Sequence, residues 1–373
     1  VLSFVSGLLL ALNENPARAD ARSVPLWQPM PLLPAPSAGL AAGRLPDGSV
    51  VAIGGDAATG AVARMAARFT STGGWQRLPN APQTLDTPGV LVLGEHAVMV
   101  IAPSFANGTI ASPSDTFILD PIWGRWITLP PCPVALAAPH LVRLNSHTVL
   151  ATGAAGNTIG ATFDLTTQHW SALASPVANL ATYSVVEAPG RGALLFASVA
   201  ITASGQPCGV RQTWLLDPAR TWQMLARPPL VFDGATAVAL TSHTFLLAGS
   251  YPVEDDPRVM APPALLFDLQ SDRWSVAGST GNTHRGGALV ALPDGRALLV
   301  GGHGPDGAPT ADCLLFTGTT WEAARSLPGP WAGYALTSLA DGSVLLIGGD
   351  RPRDHTFGPV ADTMVLPLGA GTV

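Results

Sequence analysis

Short apolar runs framed by turn residues recur along the chain, and the clearest are copies of one pattern. Leu45-Pro46-Asp47-Gly48 leads through Ser49 into Val50-Val51-Ala52-Ile53 and closes on Gly54-Gly55. Leu292-Pro293-Asp294-Gly295 and Leu339-Ala340-Asp341-Gly342 lead in the same way to Gly301-Gly302 and Gly348-Gly349. Each reads as an Asp-Gly turn, a buried strand and a glycine stop. Weaker copies end at Ala102-Pro103, Gly153-Ala154, Ala197-Ser198 and Gly249-Ser250.

A second column is aromatic: Trp27, Trp75, Trp126, Trp170, Trp222, Trp274 and Trp321. Each stands 27 residues before the next Gly-Gly position, whereas the stretch from Gly-Gly to the following Trp varies from 17 to 25. One part of the repeat is therefore rigid and the other carries loops. A period near fifty, with Gly-Gly followed by Trp, resembles the kelch repeat. That resemblance implies an all-β, seven-bladed β-propeller of four-stranded blades. The last repeat lacks its final Trp, and Trp27 has no repeat before it. The segment 24–30 is thus expected to complete the C-terminal blade and close the ring.

In this architecture the b–c loops and d–a links emerge together, and the length variation places function on that face. Charge is concentrated there in blades 5 to 7, in a chain only 12% charged. The candidate ligand-binding residues are Asp233, His284, Arg285, His303, Trp331, Tyr334, Arg351 and His355, an aromatic beside charged groups that would suit a sugar or acidic peptide. The Trp column and the aspartates of Leu119-Asp120, Phe163-Asp164 and Phe267-Asp268 are read as scaffold. The small residues twelve positions after each Trp (Gly39, Thr87, Ala138, Thr182, Gly234, Gly286, Gly333) are read as packing near the axis.

Net charge of −6 and the lack of any lysine argue against a nucleic-acid partner and exclude lysine Schiff-base or P-loop chemistry. An apolar run in residues 1–12 ahead of Ala17-Arg18-Ala19 reads as a signal peptide, 1–19, with a shortened n-region. Residues 20–373 then form one secreted or periplasmic domain with no membrane span, expected to be a monomer. Gly302-His303-Gly304-Pro305-Asp306-Gly307 matches a dinucleotide fingerprint by letter, but a strand follows it, not the helix such a site requires. His96, His147 and His243 recur on turns of the opposite face. Cys132, Cys208 and Cys313 are too scattered for zinc, although Cys132 and Cys208 share the loop face and could pair.

Copper radical oxidases resembling galactose oxidase share this kind of propeller, but their chemistry requires two Tyr, two His and a Tyr-linked Cys. Here Tyr183, Tyr251 and Tyr334 have unsuitable settings. Neither a cofactor nor a metal is expected. The reading favoured is a non-enzymatic module binding a protein or glycan through the loop face of blades 5–7. The alternative is a sugar-acting epimerase, mutarotase or lyase. Similarity to secreted sialic-acid epimerases would give Arg285, His284 and Asp233 roles in an axial pocket, with His284 or His303 as acid/base.

Overall fold

The computed structural model describes residues 26–57, 64–106, 109–153, 158–177, 180–199, 211–230, 232, 235–249, 263–304, 306–353 and 356–369. The signal-peptide reading, Asp233, His355, Tyr251 and Cys208 lie outside these residues. Seven four-stranded antiparallel sheets form a propeller. Blade 1, for instance, is built from Ala41–Arg44, Val50–Ile53, Ala66–Thr70 and Gly74–Arg77, innermost strand first. Blade 6 follows the same order with Ala288–Ala291, Ala297–Val300, Cys313–Phe316 and Trp321–Ala323.

Blade 7 takes three strands from the C-terminus, Ala335–Ser338, Val344–Ile347 and Thr363–Leu366, and its outermost from Gln28–Met30. Gln28 pairs with Val365 and Met30 with Thr363, so the ring is closed by the N-terminal strand. Each b strand is sealed, as Val50–Ile53, Ala297–Val300 and Val344–Ile347 show by being buried at every position. Both faces of a b strand meet neighbouring blades, which is why these segments are apolar without alternation. Seven apolar clusters fill the seven wedges. Leu40, Val50 and Phe69 meet Leu345 and Ile347 across the closing seam of blades 7 and 1.

The Trp column stands on, or immediately before, the outermost strands. Five of its indoles donate to a backbone carbonyl of the preceding blade, always four residues after that blade's own Trp. They are Trp126 to Pro79 (2.9 Å), Trp170 to Pro130 (2.8 Å), Trp222 to Ala174 (3.1 Å), Trp274 to Ala226 (3.0 Å) and Trp27 to Arg325 (2.9 Å). Trp75 instead donates to the Thr363 hydroxyl (3.2 Å). Trp321 is the exception, with a buried and unpartnered N–H. The corresponding residue before it is Gly278, whose φ of +84° turns its carbonyl to the Ala264 amide (2.9 Å).

The turn aspartates act locally, as expected. Asp164 accepts the Thr166 and Thr167 amides (2.9 and 2.7 Å), and Asp268 accepts that of Ser271 (2.7 Å). The Thr167 and Thr166 amides hold the Asp164 carboxyl below the usual carboxylate range, and the Ser271 hydroxyl, together with its amide, does the same for Asp268.

Candidate functional site

The loop face is organised by the residue ten positions after each Trp. All seven are buried: Ser37, Leu85, Leu136, Leu180, Phe232, His284 and Trp331. In the three blades that keep Gly-Gly this residue is a donor, and its target is always the first glycine's carbonyl. Ser37 Oγ donates to Gly54 O (2.9 Å), His284 Nδ1 to Gly301 O (2.8 Å) and Trp331 Nε1 to Gly348 O (2.9 Å). In blades 2 to 5 the position is Leu or Phe.

The physical reason lies in the glycines. Gly54, Gly301 and Gly348 have φ of +74°, +53° and +59°, and their partners Gly55, Gly302 and Gly349 have φ near +90° or above. Two left-handed residues end the ladder and leave a buried carbonyl that needs a donor. The second glycine's amide donates to the next blade: Gly55 to Leu85 O (2.9 Å), Gly349 to Ser37 O (2.7 Å). Side chains are excluded there, because a Cβ on Gly349 would come within 2.6 Å of Ala332 O and 2.8 Å of Trp331 Nε1.

His284 and Trp331, both 1% exposed, are therefore turned inward and hold the glycine stops. Trp331 presents no open stacking plate; the Arg351 guanidinium covers it at 4.6 Å from the ring centre. Tyr334 is likewise committed, its hydroxyl donating to Val300 O of blade 6 (2.8 Å). Burial pushes this phenol far above its ordinary value, with the neighbouring Cys313 adding to the effect.

Arg285, His303 and Arg351 reach the rim. Arg285 and His303 exchange backbone hydrogen bonds of 3.1 and 2.9 Å, and His303 Nδ1 also donates to Arg285 O (3.1 Å). This fixes the tautomer and leaves Nε2 as the acceptor of the neutral ring. The same small bridge recurs in blade 7 between Ala332 and Asp350. Beyond it the hairpin Asp350–Arg353 with Thr356–Pro359 carries Arg351, whose guanidinium also meets Asp362 at 3.1 Å. Two clefts of about 460 and 550 Å3 share Asn282, three residues before Arg285. Thr280, Asp312 and Ser326 line one, and Asp306 and Thr310 the other.

The small residues twelve after each Trp have a second reason besides packing. Gly39, Thr87, Gly286 and Gly333 all have positive φ, and the Gly39 amide donates to Gly333 O of the neighbouring blade (2.7 Å). The sequence reading missed the donor role of the residues ten after Trp. The signal was present, because Ser, His and Trp occur in that column only where Gly-Gly is kept.

No family model matches the chain, and no curated protein matches it. Among solved structures it is similar to a fungal alcohol oxidase of the AA5 family, determined in complex with copper. The TM-score is 0.68 at 12% identity, over 92% of this chain and 76% of the oxidase. At that identity the likeness concerns the fold. The donors that copper would need do not converge among the described residues. Tyr183 accepts the Gly153 amide (2.8 Å), and Tyr334 is bonded to Val300 O, three blades away. Burial raises the Cys132 and Cys313 thiols to about 11 and about 12, and no group of three His, Cys, Asp or Glu side chains comes together among these residues. The chain thus has the seven-bladed propeller fold of the copper oxidase, and its described residues do not fit that enzyme's metal chemistry.

Proposed function

We propose that this propeller is a non-enzymatic interaction module, secreted or periplasmic, that binds a protein or glycan through the loop face of blades 5–7. The observation that carries this reading is the rim of blades 6 and 7. There Arg285 and His303 stand on a backbone bridge and Arg351 on the hairpin that follows the Ala332–Asp350 bridge, next to the buried His284 and Trp331 that hold the glycine stops. Charged residues on a hydrogen-bonded backbone near open clefts favour recognition, because little backbone freedom remains to be lost on binding. An acid/base role for His284 is disfavoured by its burial and by its hydrogen bond to Gly301 O. Contacts from Asp233 and His355 belong to the same proposal.

The test is capture on glycan and acidic-peptide arrays by the full chain, followed by titration of the hits with Arg285→Ala and Arg351→Ala. Either substitution should weaken binding about tenfold or more. The Arg351 ion pair is partly exposed and its guanidinium covers Trp331, so the loss of both should change stability by about 1–2 kcal/mol. Unchanged affinity in both variants, or conversion of a bound sugar seen by NMR, would overturn the reading.

A further inference from the structure

On the opposite face, blade 2 carries a tryptophan that the fold does not require. Trp123 is 68% exposed, the most exposed of the large apolar side chains among the described residues, and it lies outside the repeating Trp column. It sits on the turn between Thr109–Asp120 and Arg125–Thr128. Asp120 Oδ1 accepts the amides of Ile122 (2.9 Å) and Trp123 (3.0 Å). Gly124, with φ of +63°, closes the turn against Pro79. The backbone beneath the indole is therefore held in place.

Two other blades show what this turn needs. In blade 3 the residue three after the aspartate is Thr167, and in blade 5 it is Ser271. Each gives the aspartate the same amide bond as Trp123 does (2.7 Å in both). A histidine stands beside the aspartate in all three blades: His96, His147 and His243 interact with Asp120, Asp164 and Asp268. Blade 2 thus repeats a common His–Asp turn and replaces a small hydroxyl residue with an indole. A single exposed apolar side chain needs no special explanation, but this indole stands on a held backbone at a position where two other blades use a small hydroxyl residue.

The surroundings define what would cover it. The His96 ring lies nearly parallel to the indole, 21° between planes and 6.5 Å between centres, and its Nδ1 is 3.2 Å from Asp120. Glu95, next to it, is exposed. One flat apolar plate, with the partly exposed Ile122 before it in sequence and a carboxylate and an imidazole at its edge, is much smaller than the roughly 800 Å2 per partner of a stable protein interface. It matches a pyranose ring, whose axial C–H face packs on an indole while its hydroxyls meet polar groups at the edge. We propose that Trp123, with His96, Asp120 and Glu95 at its border, is a stacking subsite for a neutral hexopyranose chain. This subsite is independent of the loop face, so either proposal can fail alone.

The test is NMR titration of the full chain with cellohexaose, maltohexaose and mannohexaose, following the Trp123 indole N–H. Trp123→Ser installs the residue that blade 5 uses, so folding is expected to survive, and Trp123→Tyr keeps a plate. The expected result is a dissociation constant of about 1 mM for at least one hexasaccharide, weakened at least about tenfold by Trp123→Ser. Trp123→Tyr should largely restore it. The proposal is overturned if none of the three binds, or if Trp123→Ser binds as well as the parent. It is overturned equally if phosphatidylcholine vesicles, but no saccharide, perturb Trp123, since that would identify a lipid-facing anchor.

Discussion

At the scale of single residues, the same amino acid does different work in successive blades, and the difference is one hydrogen bond. Trp170 and Trp321 both pack against a phenylalanine of the adjacent strand, Phe163 at 4.8 Å and Phe316 at 5.2 Å between ring centres. Trp170 also donates to Pro130 O, whereas Trp321 has no acceptor because Gly278 turned its carbonyl elsewhere. Replacement by Phe keeps a ring at both sites, of which Trp170 is buried and Trp321 partly buried, and takes a bond only from the first. Trp170→Phe should therefore cost about 1–2 kcal/mol more than Trp321→Phe in denaturant unfolding. Equal losses would mean that the inter-blade bond contributes nothing beyond ring packing. No sequence signal marks Trp321 as different, apart from the glycine four positions after the preceding Trp.

At the scale of elements, the glycine pair decides where a strand stops. Blade 2 has Ala102-Pro103 in its place, and its b strand runs on to Ala106, pairing with a c strand that starts at Thr109. In blade 1 the ladder stops at Ile53. The constant interval of 27 was legible because everything between Trp and Gly-Gly is fixed by neighbouring blades, leaving no loop free to lengthen. The inward turn of His284 and Trp331 was not legible from residue type. A polar or aromatic residue at a channel mouth reads as a ligand contact until the buried glycine carbonyl opposite it is seen. Gly349 and Gly342, both at positive φ, separate the two costs of a side chain. Gly342 meets nothing within 4 Å, so Gly342→Ala should lose only the left-handed penalty, about 1–2 kcal/mol. Gly349→Ala adds contacts of 2.6 and 2.8 Å to Ala332 O and Trp331 Nε1, and should be clearly the less stable in thermal melts. If the two variants melted together, the glycine stop would be tolerant and the explanation for its retention in three blades would fail.

At the scale of the whole molecule, stability depends on a seam that joins the two ends of the described chain. Trp27 lies in the apolar cluster between blades 6 and 7, with Leu298, Val300 and Leu346. Leu33, six residues later, lies in the cluster between blades 7 and 1, with Leu345 and Ile347. The strand between them, Gln28–Met30, covers the hydrogen-bonding edge of Thr363–Leu366. Two wedges and one sheet edge thus rest on a single short segment, and no neighbouring blade can substitute for it. Removal of residues 1–33 should expose that edge, empty part of both clusters and leave a protein that melts well below the parent and aggregates. Double substitution Trp27→Ala and Leu33→Ala keeps the strand while emptying the wedges, and should cost roughly 5 kcal/mol or more. The comparison separates the two contributions: if the double variant is as unstable as the truncation, apolar filling holds the ring shut, and the backbone pairing only sets its register. A truncated chain that melted with the parent would show that six blades and a three-stranded seventh hold the ring without this closure.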